Sequence, residues 1–341
     1  NNLRFKAAKE TINYLLKKKA KLVIIAHQGR KGNSNFVSLK QHAKILKIKY
    51  IDDLFGDKAL SEINKLKPGQ AILLKNTRSY KGEIKPSTKF RDLSKLFDVY
   101  INDAFSVSHR NHSSIIIPPK YLKSYIGLQF EKEINSLKKL KINNPLVILG
   151  GSKAEDYLSL IKSQKNKSIF LLAGVVGNLF LKSRNYKLGY ENKWLKKYNK
   201  LIPKIRKLDT KNIVLPIDFA FNNKKRIEKK LEDLPYNKKV LDVGANTVCL
   251  FQEFIKNSKV ILMKGPLGFS EIKGFDKSTK QILKSISKSK AYTIIGGGHL
   301  TTNLNNTSIK NFDHVSLAGG ALIKYISGEK LPGIIVLEKS N

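Results

Sequence analysis

Four short apolar runs, each cut off by glycines, constrain this chain most. LVIL leads into Gly150-Gly151-Ser152-Lys153, and IFLLA into Gly174-Val-Val-Gly177. AYTII leads into Gly296-Gly297-Gly298, and HVSLA into Gly319-Gly320. Runs of four or five apolar residues are too short for a buried helix and read as strands buried on both faces. The stretches between them are long enough for helices. A strand, a glycine turn and a helix start place free backbone N–H groups and positive helix-end potential beyond the carboxyl edge of a parallel sheet. Ligands bind at that edge in open α/β sheets. Several such turns in one sheet point to a phosphate or nucleotide cleft.

The same alternation runs through the first part of the chain. Strands are predicted near Lys21–Ala26, Tyr50–Ile51, Gln70–Lys75, Asp98–Asn102 and Ser114–Ile117, with helices between them such as Arg4–Lys17. The amphipathic segment Gln129–Leu140 then leads through Asn143-Asn144-Pro145 into the strand Leu146–Leu149, and this is the expected linker. Further strands are predicted near 168–173, 213–216, 239–242, 259–263, 292–295 and 314–317. The 341 residues are long for one core and comfortable for two. The fold class expected is therefore α/β, with parallel three-layer sheets in two domains. These are 1–135, joined by the tail 328–341, and 145–327.

Charge raises a competing reading. The 65 Lys+Arg against 26 Asp+Glu give a net charge of +39, a field that attracts polyanions. The cations are spread along the whole chain, however, and no aromatic-basic nucleic-acid module is visible. A nucleic-acid partner therefore rests on charge alone and is not expected. Only Arg4, Arg30, Arg78, Arg91, Arg110, Arg184, Arg206 and Arg226 are arginines. Where lysine is the default cation, the rigid guanidinium fork marks candidate anion sites. The single cysteine, Cys249, excludes a disulfide framework and fits a reducing cytoplasm. No apolar run approaches a membrane span. The chain starts at Asn1 and its only methionine is Met263, so it reads as processed or as a fragment.

Familiar nucleotide motifs are absent. No glycine precedes a lysine, so there is no Walker A loop, and no GxGxxG follows a strand with a suitably spaced acid. In the first region, Arg4, His27, Arg30, Arg78, His109 and Arg110 mostly follow strands, so a parallel sheet brings several of them to one side. They suit a small phosphorylated acid, against the default that they are scattered surface cations. His109 and His112 are spaced as a helical metal pair, a reading weakened by the lack of nearby cysteine.

The order of motifs resembles the phosphoglycerate kinase family over essentially the whole chain. The landmarks are NNLRFKAA, AHQGR, LKPGQAILLKNTR, DVYINDAFSVSHRNHSS, LVILGGSKAED, LPID, LDVGANT, KGPLGFSE, TIIGGG, HVSLAGGAL and SGEKLPG. AHQGR, and a histidine after the triple glycine, resemble the archaeal branch. The resemblance implies two Rossmann-like domains closing about a hinge, the first binding 3-phosphoglycerate and the second Mg-nucleotide, with the tail returning to the first. It implies reversible phosphoryl transfer between 1,3-bisphosphoglycerate with ADP and 3-phosphoglycerate with ATP. The acid would be held by Arg4, His27, Arg30, Arg78, His109 and Arg110. The nucleotide would be held by Gly150, Gly151, Ser152, Lys153, Gly174, Leu241, Pro266, Phe269, Glu271, Gly297, Gly298 and His299. Arg4 and Lys153 would accompany the moving phosphoryl group, with the N–H groups of Gly319 and Gly320 capping its oxygens. Mg2+ would arrive with ATP or ADP, with no protein metal ligand assigned. The protein would be a cytoplasmic monomer or homodimer with small-molecule partners and no membrane partner.

Some positions depart from the family pattern. An opening strand bearing Arg-x-Asp-x-Asn-x-Pro is expected before Asn1. His299 stands at a common Asp, Tyr157 at a second lysine, Lys264 at the Asn of a WNGP segment, Lys75 at a Glu and Ala318 at a Gly. These departures leave open a second reading, a nucleotide-binding homologue with reduced catalysis.

Overall fold

The amphipathic opening folds into a helix, α1 (Asn2–Lys17). It is followed by β1 (Leu22–Ile24), α2 (Lys40–Leu46), β2 (Lys49–Ile51), α3 (Asp57–Asn64), β3 (Ala71–Leu74), α4 (Thr88–Ser94) and β4 (Val99–Asn102). The protein, a computed structural model, is described for residues 2–85, 87–142, 144–208, 211–297, 300 and 309–340. It divides into two units, Asn1–Ile134 with Lys330–Asn341, and Asn135–Glu329.

In the first unit β1, β3 and β2 form a parallel sheet with β3 in the middle. Ile72 and Leu74 pack with Ile51, Phe90 and Leu93, while Leu73 packs on the other side with Leu39 and Ala43. The alternation follows from the two-residue period of a strand. One prediction is overturned here. Ser114–Ile117 is not a strand, because Ser113–Ile116 is a short helix, α5. Its start is fixed by the buried carboxylate of Glu83, which accepts from the Ser114 backbone N–H at 3.1 Å and from its hydroxyl at 2.7 Å. An anion at a helix N-terminus outweighs the β-propensity of the isoleucine run. The strand that pairs in parallel with β4 lies further on, β5 (Lys123–Ile126).

The expected linker is the helix α6 (Leu128–Ile142). Beyond it come β6 (Leu146–Leu149), α7 (Ala154–Gln164), β7 (Ile169–Leu172), α8 (Gly174–Ser183), α9 (Tyr190–Trp194), α10 (Ile202–Arg206) and β8 (Ile213–Val214). The chain continues through β9 (Asp218–Asn223), β10 (Lys225–Lys230), β11 (Val240–Val243), α11 (Ala245–Lys256), β12 (Val260–Lys264), α12 (Lys277–Lys288) and β13 (Tyr292–Gly296). β14 (His314–Ser316) and α13 (Gly320–Ile326) complete the second unit. Its main sheet is parallel, in the order β14-β13-β12-β6-β7-β8. Ile148, Ile261 and Met263 pack with Phe251, Ile255, Ile282 and Ile286 of α11 and α12. The alternate residues Val147, Leu149 and Leu262 are equally buried, so both faces of the sheet are covered.

Not every strand joins a parallel sheet, as the alternation implied. β10, β9 and β11 form a separate antiparallel sheet. The predicted strand 239–242 therefore belongs to this hairpin sheet. β9 turns directly into β10 at Lys224, a non-glycine residue with φ of 62°. The final helix, α14 (Pro332–Glu338), belongs to the first unit, where Gly333 N–H donates to the Ser108 carbonyl at 2.8 Å. Among the described residues no helix is long and apolar enough to cross a membrane.

Candidate functional site

In the first unit the loops that follow β1, β3 and β4 meet. Asn76, at the end of β3, donates from Nδ2 to the carbonyls of Gln28 at 2.9 Å and Val37 at 3.1 Å. Its Oδ1 accepts from Arg78 N–H at 3.1 Å, capping a single turn. One amide side chain thus joins the loop after β1 to the loop after β3 and aims Arg78. The Arg78 guanidinium donates to the Gly29 carbonyl. The loop after β4 contributes His109 and Arg110, with Arg110 Nε 3.3 Å from His109 Nε2. His112 sets its ring edge-on to His27, with centroids 6.1 Å apart, and its Nδ1 lies 3.5 Å from Glu83 Oε1.

The cluster is electrostatically unhappy as it stands. Burial and then the fields of Arg110 and Arg30 weaken the hold of Arg78 on its proton, and burial with Arg30 does the same to Arg110. Burial, followed by Arg78, lowers the pKa of His27 from 6.5 to about 4. Glu83 offsets part of this from beneath. Burial raises its pKa, but hydrogen bonds from His112 and Ser114 outweigh that and hold it below the usual range. Cations that disfavour one another in a partly desolvated pocket are relieved by an anion.

His27, Arg30, Arg78, His109 and Arg110 are thus brought together. Arg4 lies on the exposed side of the first turn of α1. Its neighbour Phe5 stacks against His42 at 5.2 Å, and His42 bonds the Gln28 side chain at 2.6 Å, which sets this end of the helix by the loop after β1. The helical metal pair is overturned: His109 follows a turn and His112 is the residue preceding α5, so the two share no helix. Among the described residues no three His, Cys, Asp or Glu gather as a metal set.

The second unit holds a cavity of about 260 Å³ beyond the carboxyl ends of β6, β7, β12 and β13. Gly150, Gly151, Ser152, Lys153, Gly174, Leu241, Pro266, Phe269, Glu271, Gly297 and Gly319 all line it. Gly320 begins α13 directly after Gly319. Gly298 and His299 lie outside the described residues. The helices α7, α8 and α13 start at this edge, each preceded or opened by one of the glycine turns.

Other lining residues carried no motif. Asn178 and Glu191 are buried, joined by a 3.0 Å hydrogen bond from Asn178 Nδ2, and Glu191 also accepts from Val240 N–H at 3.3 Å. Trp194 adds an aromatic wall. Their only sequence signal is polarity at helical spacing that looks solvated. Tyr157 and Lys264, noted above as departures, also line the cavity. The Tyr157 hydroxyl donates to the Gly150 carbonyl at 3.0 Å and lies 3.4 Å from that of Lys264, and burial raises its pKa, keeping it a donor.

A glycine-edged parallel sheet with a cavity at its carboxyl end, in a chain that also carries a cluster of guanidinium groups, fits an α/β phosphotransferase. Comparison with known proteins narrows the class. The family model described as phosphoglycerate kinase matches residues 1–329. Phosphoglycerate kinase of Methanothermus fervidus is 35% identical over 368 residues, covering 100% of this chain and 90% of that protein. That of Sulfurisphaera tokodaii is 37% identical, covering 99% and 88%. Among solved structures, phosphoglycerate kinase from Pyrococcus horikoshii superposes with a TM-score of 0.90 at 30% identity, covering 99% of this chain and 91% of that one. The Coxiella burnetii enzyme gives 0.81 at 28% identity, with the same coverage. The chain belongs to the phosphoglycerate kinase family.

Proposed function

We propose that the first unit binds 3-phosphoglycerate and the second binds ATP or ADP, and that the chain catalyses direct phosphoryl transfer between them. The observation that carries this reading is the gathering of Arg78 and Arg110 beside Arg30, where burial and the neighbouring guanidinium charges disfavour the charged forms of Arg78 and Arg110, a strain that an anion among them relieves. With His27, His109 and Arg4 they suit a small acid bearing a phosphate. In the second unit the adenosine rests against Gly174, Leu241, Pro266 and Phe269, with Glu271 reaching the ribose hydroxyls. The phosphates lie along Gly150, Gly151, Ser152, Lys153 and Gly297, at the helix N-termini. Both halves of the chemistry are needed at once, so the two substrates must meet during turnover.

In the direction of ATP consumption, a carboxylate oxygen of 3-phosphoglycerate forms a bond to the γ-phosphorus while the bond to the β-phosphate oxygen breaks and ADP leaves. The nucleophile is already an anion at neutral pH, so no general base is required. Catalysis is positioning and charge stabilisation, with Arg4, Lys153 and the N–H groups of Gly319 and Gly320 around the moving phosphoryl oxygens. Excluding water protects the acyl phosphate.

Mg2+ is proposed to enter with the nucleotide. Magnesium keeps much of its water and binds mainly through substrate phosphates with one or two carboxylates. Of the acidic residues lining the cavity, Asp242 is held by Arg226 at 2.9 Å. Mg2+ supplies neutralisation of phosphate charge when bound, and no further role is assigned. Diffusible phosphorylated metabolites fit a cytoplasmic setting.

A coupled assay for ATP formation from ADP and 1,3-bisphosphoglycerate tests the reading. Arg4→Ala is expected to lower kcat by orders of magnitude with ADP affinity nearly intact, and Lys153→Ala to slow turnover as well. No turnover by the full-length protein alongside measurable ADP binding sinks the proposal in favour of a nucleotide-binding homologue.

A further inference from the structure

Arg4, which the proposed mechanism places around the moving phosphoryl oxygens, sits where a helix holds a cation poorly. It lies in the first turn of α1, which carries no acidic residue. The unbonded N–H groups of that turn form a positive end, so a guanidinium there is disfavoured by its own helix. A first turn also frays unless tertiary contacts hold it. Arg4 is exposed, so burial of its own side chain does not anchor the turn.

The anchor is its neighbour. Phe5, about 100° further round the helix, sets its ring against that of His42 on α2, with centroids 5.2 Å apart and planes inclined at 49°. His42 Nε2 bonds Gln28 Oε1 at 2.6 Å. An amide oxygen only accepts, so Nε2 carries the proton. Nδ1 is buried and meets no hydrogen-bond partner among the described residues, which suits a bare lone pair. Burial lowers the His42 pKa in the same sense, keeping the ring neutral.

Gln28 is pinned at its other end too. Its carbonyl accepts from Asn76 Nδ2 at 2.9 Å, and Asn76 Oδ1 caps the turn that presents Arg78. A line of contacts, Phe5 to His42 to Gln28 to Asn76, therefore joins the turn bearing Arg4 to the turn bearing Arg78. A leucine or phenylalanine at position 42 would pack on Phe5 as well, but could not hold Gln28.

We propose that His42 is a positioning residue for Arg4. By stacking on Phe5 and bonding Gln28 it fixes the first turn of α1 against the loop after β1, and so sets where the Arg4 guanidinium is presented. The inference rests on the role given to Arg4 above.

Steady-state kinetics of phosphoryl transfer from ATP to 3-phosphoglycerate by the full chain test it. His42→Phe keeps a ring against Phe5 and drops the bond to Gln28, whereas His42→Gln keeps a donor and drops the ring. His42→Ala loses both and should lower kcat roughly ten- to a hundredfold, with the other two falling less. KM for 3-phosphoglycerate should stay within about threefold, because Asn76 still holds the Gln28 main chain, and ADP affinity within about twofold. In an Arg4→Ala background, His42→Ala should change kcat by no more than about twofold, since the group it aims is gone. Should His42→Ala not fold, the same cycle with His42→Phe decides. A kcat within about twofold of the parent overturns the proposal. So does a loss of equal size with and without Arg4, which makes His42 a packing residue. Arg4→Ala with the parent's kcat instead refutes the role of Arg4 on which the inference rests.

Discussion

Gly150 leaves no room for a side chain against Pro266: a β-carbon built on it would stand 2.1 Å from the Pro266 carbonyl oxygen. The contact joins the turn after β6 to the turn after β12, and it is reciprocated, since a β-carbon on Gly265 would lie 2.4 Å from the Gly150 carbonyl. Two strand ends are thereby held at backbone distance, and the floor of the cavity depends on it. Gly265 also has φ of 79°, in the left-handed region that disfavours side chains.

Gly150→Ala is therefore expected to push these turns apart. Overpacking of this kind costs about 1–3 kcal/mol. The displaced segment includes Pro266 and Phe269, so ADP affinity should fall at least roughly tenfold, together with a lowered Tm. Thermal melts and ADP titration check both effects. An alanine variant that melts and binds like the parent would show that the turns are not in contact.

His27 gives the first unit a signed dependence on pH. Its imidazole takes up a proton near pH 6.5 when unfolded but only near 4 when folded, because of burial first and the Arg78 charge second. Between those values the unfolded chain binds more protons, so stability falls as the pH drops from about 6.5 toward 4. At pH 5 the loss from this one group is about 2 kcal/mol. His27→Asn should remove that part of the acid slope, which denaturant melts at pH 7 and pH 5 would measure; an unchanged slope refutes it. A bound phosphorylated acid should also raise the His27 pKa. Binding of 3-phosphoglycerate near pH 5.5 is then expected to take up protons, seen as a buffer-dependent heat.

How far these features are legible in sequence depends on whether the signal is local. Leu146–Leu149 followed by two glycines announces itself, because a strand buried on both faces has no polar positions and the turn requires small residues. β10 does not, since Lys225, Glu228 and Lys230 are exposed on a strand with one neighbour and read as a solvated run. α5 is not legible locally, because its start is fixed by Glu83, 31 residues earlier, which no local pattern encodes. Scarcity of arginine marks the cations after β1, β3 and β4 as a group, and the structure brings their loops together. It could not distinguish them from Arg91, which pairs with its neighbour Asp92 on α4. Nor could it show Arg226 to be a structural clasp.

Arg226 supports the third prediction. From β10 its guanidinium donates to Asp242 Oδ2, to the Gly274 carbonyl and to the Val243 carbonyl, each at 2.9 Å, and it lies over the Phe275 ring at 5.6 Å. One side chain thus fastens the hairpin to β11 and to the loop before α12. The Asp242 side chain is fully buried, and burial raises its pKa while Arg226 opposes the shift. Removing the guanidinium leaves a buried carboxylate without its partner, and such losses cost about 3–5 kcal/mol. Arg226→Ala should therefore lower the stability of the second unit by that amount, more than any exposed lysine substitution. Adding Asp242→Asn removes the stranded charge, so the double variant should be more stable than Arg226→Ala alone, a non-additivity that denaturant melts of all four proteins would resolve. Acid gives the same test without a second substitution. Asp242 freed of Arg226 protonates more readily, so the gap between parent and Arg226→Ala should narrow as the pH falls through the carboxylate range. A gap that stays constant would mean that Arg226 acts through packing on Phe275 alone.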